Sequence, residues 1–166
     1  MRRVSSVIGS TAFLLLAPGT VAGLVPWWIA GWRLAPPMGG MSWVRWFGVA
    51  LIAVGVPLLL DSFARFALQG RGSPAPVLPT EHLVVTGLYR YVRNPMYVGV
   101  VTVVLGQGLL IGSLPLLGYG AFLGLTFHLF VLAYEEPKLR RSFGADYDRY
   151  CRNVSRWIPR LRPWRA

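Results

Sequence analysis

The stretch Arg93-Asn94-Pro95-Met96-Tyr97-Val98-Gly99 sets a guanidinium, a carboxamide and a phenol within five residues, and two adjacent carboxylates, Glu135-Glu136, follow further along the chain. Between Met96 and Tyr134 there is no Asp, Glu, Lys or Arg. Opposite charges at the two ends of one apolar excursion, with aromatic rings beside them, are the groups that bind a zwitterionic organic molecule. Arg93, Tyr97 and Glu136 are the candidates for work on a bound substrate. His128 lies seven residues before Glu135, on roughly the same helix face, where it is equally a tunnel-lining residue, a base or a packing histidine. Taken singly, arginines and glutamates beside an apolar run are more often topology and interface residues. The bracketing of one run by both motifs is what points to a site.

The composition says where such a site operates. Of 166 residues, 54% are hydrophobic and only 14% charged, with a mean hydropathy of +0.50. Soluble chains carry roughly 25% charged residues, so the class is an integral membrane protein. The net charge of +11 would suggest nucleic acid in a soluble domain. Here the basic residues flank the apolar runs, which fits orientation signals and anionic headgroups instead. The single cysteine, Cys151, excludes a disulfide framework, and His82 and His128 are too few and too separated for a zinc site. No metal is expected.

Four spans position the motifs. The first covers about 7–30 and contains Pro18-Gly19 and Pro26, which predict a kink. A cleaved signal peptide is the rival reading, but the run continues to Trp27-Trp28, which suits an interfacial anchor, so a retained helix is expected. A loop from Arg33 to Ser42 leads to a second span at about 43–64, with Pro57 inside it and an i,i+4 pair, Asp61 and Arg65, near its end. Arg71 to Pro79 is proline-rich and extended. The 39 uncharged residues from Met96 to Tyr134 would rise about 58 Å as one helix, twice the hydrocarbon thickness. They therefore form a hairpin, 96–114 and 116–134, turning at Gly112-Ser113-Leu114-Pro115.

Four spans put both termini and the 65–93 loop on one side, with only Arg33 and Arg45 of the 17 Lys+Arg opposite. The positive-inside rule makes the basic side cytoplasmic, in a bacterial or archaeal inner membrane. Leu139, Phe143, Tyr147 and Tyr150 form an apolar stripe on the tail, with Gly144 a possible break. The basic residues around the stripe predict a segment lying on the membrane surface, continued by Trp157, Arg160, Arg162 and Trp164.

Thr86-Gly87-Leu88-Tyr89-Arg90-Tyr91-Val92-Arg93-Asn94-Pro95-Met96-Tyr97-Val98-Gly99, Glu135-Glu136, Phe143 to Tyr150 and Arg156-Trp157-Ile158-Pro159 together resemble the isoprenylcysteine carboxyl methyltransferase family, itself related to the membrane phospholipid N-methyltransferases. The resemblance spans about 81–159, the expected methyltransferase core of one membrane domain over 1–166, with 135–166 as its cytoplasmic tail. It implies methyl transfer from S-adenosylmethionine to a lipid-like or small apolar acceptor drawn from the bilayer. The cofactor pocket it implies is lined by Glu81, His82, Leu83, Val84, Tyr89, Asn94, Pro95, Met96, Tyr97 and Glu135. Asn94 stands where the common string has histidine, as in the phospholipid enzymes. Val131 stands where animal prenylcysteine enzymes carry a substrate-binding arginine. Carboxylate, amine and thiol acceptors thus all stay open. The remoter rivals are an NADPH-dependent membrane reductase of related architecture and a non-enzymatic membrane subunit.

Overall fold

A computed structural model describes residues 16–69, 83 and 85–165; those residues are all helix, turn and loop, with no strand. Helix α1 spans Leu16–Ala30, α2 Trp43–Gln69, α3 Pro95–Ile111, α4 Leu114–Phe130 and α5 Glu136–Asn153. A π turn, Val131–Glu135, joins α4 to α5. The helix thus runs on past Tyr134, where its apolar part ends, as far as a kink at Gly144, so the tail continues the span rather than standing detached from it. Leu114–Asn153 and Trp43–Arg65 are long and apolar enough to cross a membrane, while Leu16–Ala30 and Pro95–Ile111 are apolar but shorter. The start of the expected first span and the 71–79 segment lie outside the described residues.

The predicted hairpin turn is present. Gly112 takes φ +81 at the end of α3, a left-handed conformation suited to glycine. Ser113 Oγ then accepts from Leu116 N and caps α4. The loop before α2 docks on the same turn, with Ala35 N donating to Ile111 O and Arg45 to Ala35 O.

Two glycines on α2 and two on α3, each pair seven residues apart, bring these antiparallel helices into backbone contact. A Cβ on Gly48 would sit 2.7 Å from Gly106 O, and one on Gly55 would sit 3.0 Å from Gly99 O. Small residues allow this approach, as in membrane helix pairs. Leu59, Phe63 and Val100 fill the part of the seam nearer the start of α3, whereas Val104, Ile111, Leu116 and Leu123 pack α3 on α4.

Helix α1 closes the bundle through polar groups that a helix would normally spend on itself. Residues Thr20–Leu24 form a π turn, so Val25 N donates to Thr20 O and leaves Val21 O without its helical donor. Pro26 has no N–H to give Ala22 O. Both carbonyls are taken by neighbouring helices: Tyr119 Oη donates to Val21 O at 3.0 Å and Gln107 Nε2 to Ala22 O at 2.7 Å. The kink expected from proline is therefore a bonded π turn.

The tail differs from expectation. Its stripe does not face a membrane: Tyr147 and Tyr150 are buried with Val154 and pack on Leu83, Val85 and Trp164. Gly144 does break the regular helix, at φ +51 and ψ −125. After α5 the chain turns back and pairs with the segment before α3. Arg93 N donates to Ser155 O, Arg160 N to Tyr91 O and Trp164 N to Arg90 O. The stripe belongs to the fold because this returning segment offers it a partner nearer than lipid.

Candidate active site

Tyr97 lies in the first turn of α3, which begins at Pro95, a residue pre-set for a helix start. Its hydroxyl donates to Glu135 Oε2 at 3.0 Å, and its ring stacks on Phe127 of α4 with centroids 4.6 Å apart. Glu135 ends the second π turn, which, like the first, lies just before a proline, here Pro137. Consecutive helix residues point about 100° apart, so Glu136 faces elsewhere. Arg156 donates to it twice, Nε to Oε1 at 2.6 Å and Nη2 to Oε2 at 3.0 Å, and Arg93 Nη1 stands 3.1 Å from Oε1. Burial pushes the Glu136 carboxyl up, but hydrogen bonds from Arg156 and the charges of Arg93, Arg156 and Arg140 outweigh it and hold the group below the usual glutamate value.

The two ends of the hairpin, Arg93 to Tyr97 and Glu135-Glu136, thus meet at one mouth of the bundle in two layers. One is Tyr97 with Glu135; the other is the triad Arg93–Glu136–Arg156, with Glu136 buried between two partly exposed arginines. Arg93 also donates to Cys151 Sγ at 2.7 Å, while its Nε is buried without a hydrogen-bond partner. Arg90, three residues before Arg93, donates from Nε to Trp164 O at 2.6 Å.

The other implied pocket residues separate as follows. Asn94 is buried and does not cap α3 with its side chain; Nδ2 donates to Arg156 O at 3.2 Å. Tyr89 is buried, and its carbonyl accepts from Tyr150 Oη at 2.6 Å. Met96 packs into the Leu59–Phe63–Val100 cluster, and Leu83 into that of Tyr147 and Tyr150. Pro95 is fully buried. Glu81, His82 and Val84 lie outside the described residues. Asp61 and Arg65 form their expected pair, at 2.7 Å, with the guanidinium lying over Gly87.

Beside Tyr97, between α3 and α4, is a cavity of about 440 Å³ lined mainly by apolar groups. Its walls include Val98, Val101, Phe127, His128 and Trp157. His128 and Trp157 are bonded to each other, Trp157 Nε1 donating to His128 Nδ1 at 2.9 Å. Small-molecule sites are typically 300–1,000 Å³, so the cavity admits a modest apolar ligand ending near the Tyr97–Glu135 pair. Arg156, Trp157 and Cys151 were not among the sequence candidates. A resemblance motif contains the first two, but nothing in their spacing from Glu136 or His128 announces the fold-back that joins them.

Apolar helices ending in a charge cluster beside an apolar cavity make a small helical bundle, two of whose helices are long and apolar enough to cross a membrane. The chain belongs to the phospholipid methyltransferase family, whose model matches residues 43–146. None of the curated proteins matches the chain. The matched region begins at α2, so the family pattern includes the glycine seam that the resemblance over 81–159 left out. The family is one of membrane methyltransferases.

Proposed function

We propose that the protein is an integral membrane methyltransferase that uses S-adenosylmethionine to methylate a lipid-like or small apolar acceptor. The observation that carries this reading is the Tyr97–Glu135 hydrogen bond at the end of an apolar cavity. Glu135 retains lone pairs for the hydroxyls or ammonium of the cofactor, and the buried Arg93 Nε–H, without a partner among the described residues, suits its carboxylate. Tyr89 and Asn94 belong to the wall in this reading, and the resemblance adds Glu81, His82 and Val84 to it. When bound, S-adenosylmethionine supplies an electrophilic methyl on a sulfonium. The protein's part is alignment and exclusion of water rather than covalent catalysis. Tyr97, stacked on Phe127, fixes the boundary between the polar pocket and the apolar cavity.

In this reading the four apolar helices span the membrane, and both termini, the charge cluster and the tail face the cytoplasm of a bacterial or archaeal cell. The acceptor enters from the bilayer. No arginine stands at Val131, which is buried within the π turn, so a carboxylate acceptor has no partner there. Amine, thiol and other lipid acceptors fit this cavity better.

Calorimetry on the detergent-solubilised protein is the test. S-adenosylhomocysteine should bind saturably and NADPH should not; no saturable binding of the former overturns the reading. Glu135→Ala should abolish that binding while the protein still purifies as a folded species, and unchanged affinity would refute the role given to Glu135.

A further inference from the structure

The ring nitrogen of an indole is a donor only. Because Trp157 Nε1 lies 2.9 Å from His128 Nδ1, that nitrogen must carry a lone pair. In the neutral imidazole the proton then sits on Nε2. His128 lines the cavity, and Nε2 has no hydrogen-bond partner among the described residues. The other polar side chain of the cavity wall besides Trp157 and Tyr97 is Thr102, on α3. The Tyr97 hydroxyl is already given to Glu135. An apolar wall thus carries an N–H fixed in donor form by a residue delivered from the tail.

We propose that His128 is the specificity-determining donor of the acceptor site. Its Nε2–H holds an uncharged oxygen or sulfur of the acceptor distinct from the atom that is methylated, as in an ether, ester, ketone or thioether group. Trp157 is a positioning residue that sets the tautomer. The base role considered for His128 would need Nε2 bare, and hence the Trp157 hydrogen bond broken. An apolar site with one committed donor discriminates well, since a ligand without an acceptor atom leaves the donor unpaired. This inference rests on the methyltransferase reading for the meaning of the cavity, but not for the cavity's chemistry.

The test uses the full-length solubilised protein and two probes, 2-tridecanone and n-tridecane, which differ in one carbonyl. Imidazole ¹⁵N spectra, with the His128 signals assigned by their loss in His128→Gln, should show the Nε2–H tautomer. Titration with the ketone should shift that N–H saturably, and the alkane should not. Calorimetry should give ketone binding close to wild type for His128→Gln, which keeps an N–H near Nε2. His128→Phe and Trp157→Phe should each weaken it about tenfold, the loss of one hydrogen bond. An Nδ1–H tautomer, equal response to both probes, or His128→Gln as weak as His128→Phe would each overturn the proposal. Failure of S-adenosylhomocysteine to bind while the ketone result holds would sink the methyltransferase reading and leave the donor site standing.

Discussion

Glu135 and Glu136 share a peptide bond and have different partners, and the difference can be measured. Glu136 is nearly inaccessible and bonded to two arginines. Removing its charge leaves two guanidiniums uncompensated, and breaking a buried pair of this kind costs about 3–5 kcal/mol. Glu136→Gln should therefore lower the unfolding midpoint in detergent far more than Glu135→Gln. The pH dependence has a definite sign. The folded Glu136 carboxyl lies below its ordinary value, so its contribution is full above about pH 4.3 and lost as pH falls through the folded value. Unfolding midpoints followed downward from neutral pH should drop below that point in the wild type and less steeply in Glu136→Gln. At this scale the sequence reading located Tyr97 and Glu135 and their proximity. It joined Glu136 to the same mouth, because the direction of a side chain depends on a π turn that no spacing in the sequence displays. Arg156 was invisible as a partner for the same kind of reason: a contact made across a fold-back leaves no periodic trace.

At the level of helices, the apolar helices and the hairpin turn were legible because hydrophobic length and a Gly-Ser-Leu-Pro turn are local signals. The seam between α2 and α3 was also written in the sequence, as glycines seven apart at 48 and 55 and at 99 and 106, but it becomes readable only once the two helices are known to be antiparallel neighbours. A Cβ at Gly48 would lie 2.6 Å from Leu110 N, and backbone cannot swing aside as a side chain does. Gly48→Ala should destabilise by about 1–3 kcal/mol. Gly118, on α4, has nothing within 4 Å of its Cβ position, so Gly118→Ala should be neutral or stabilising by about 0.5–1 kcal/mol. Thermal unfolding of the pair checks the contrast. Gln107→Leu tests the π turn of α1. It strips Ala22 O of its donor and should cost about 1 kcal/mol, with the loss absent from Gly118→Ala.

For the whole molecule, the proposed orientation rests on a charge asymmetry that was plain in the sequence, whereas the destination of the tail was not. An amphipathic stripe reports that one face will be covered but not by what; here it is covered by the chain's own 83–92 segment. Cysteine labelling checks the orientation. In a Cys151→Ser background, a cysteine at Ser42 should react with a membrane-impermeant thiol reagent from the non-cytoplasmic side only. A cysteine at Ser142, an exposed position on α5, should react from the cytoplasmic side only. The reverse pattern would invert the topology.

The fold-back of residues 155–164 onto 90–93 also fixes an order of events during synthesis. Chains emerge N-terminus first, so Arg93 and Tyr97 leave the ribosome well before Ser155, Arg156 and Trp157 exist. Until those later residues arrive, Ser155 O cannot accept from Arg93 N, Glu136 lacks Arg156, and His128 lacks the indole that sets its tautomer. The half-made protein can pair its helices along the glycine seam while its charge cluster stays open to water. Competence at the site is thus deferred until residues 155–164 have been made, after the helices they fold back upon.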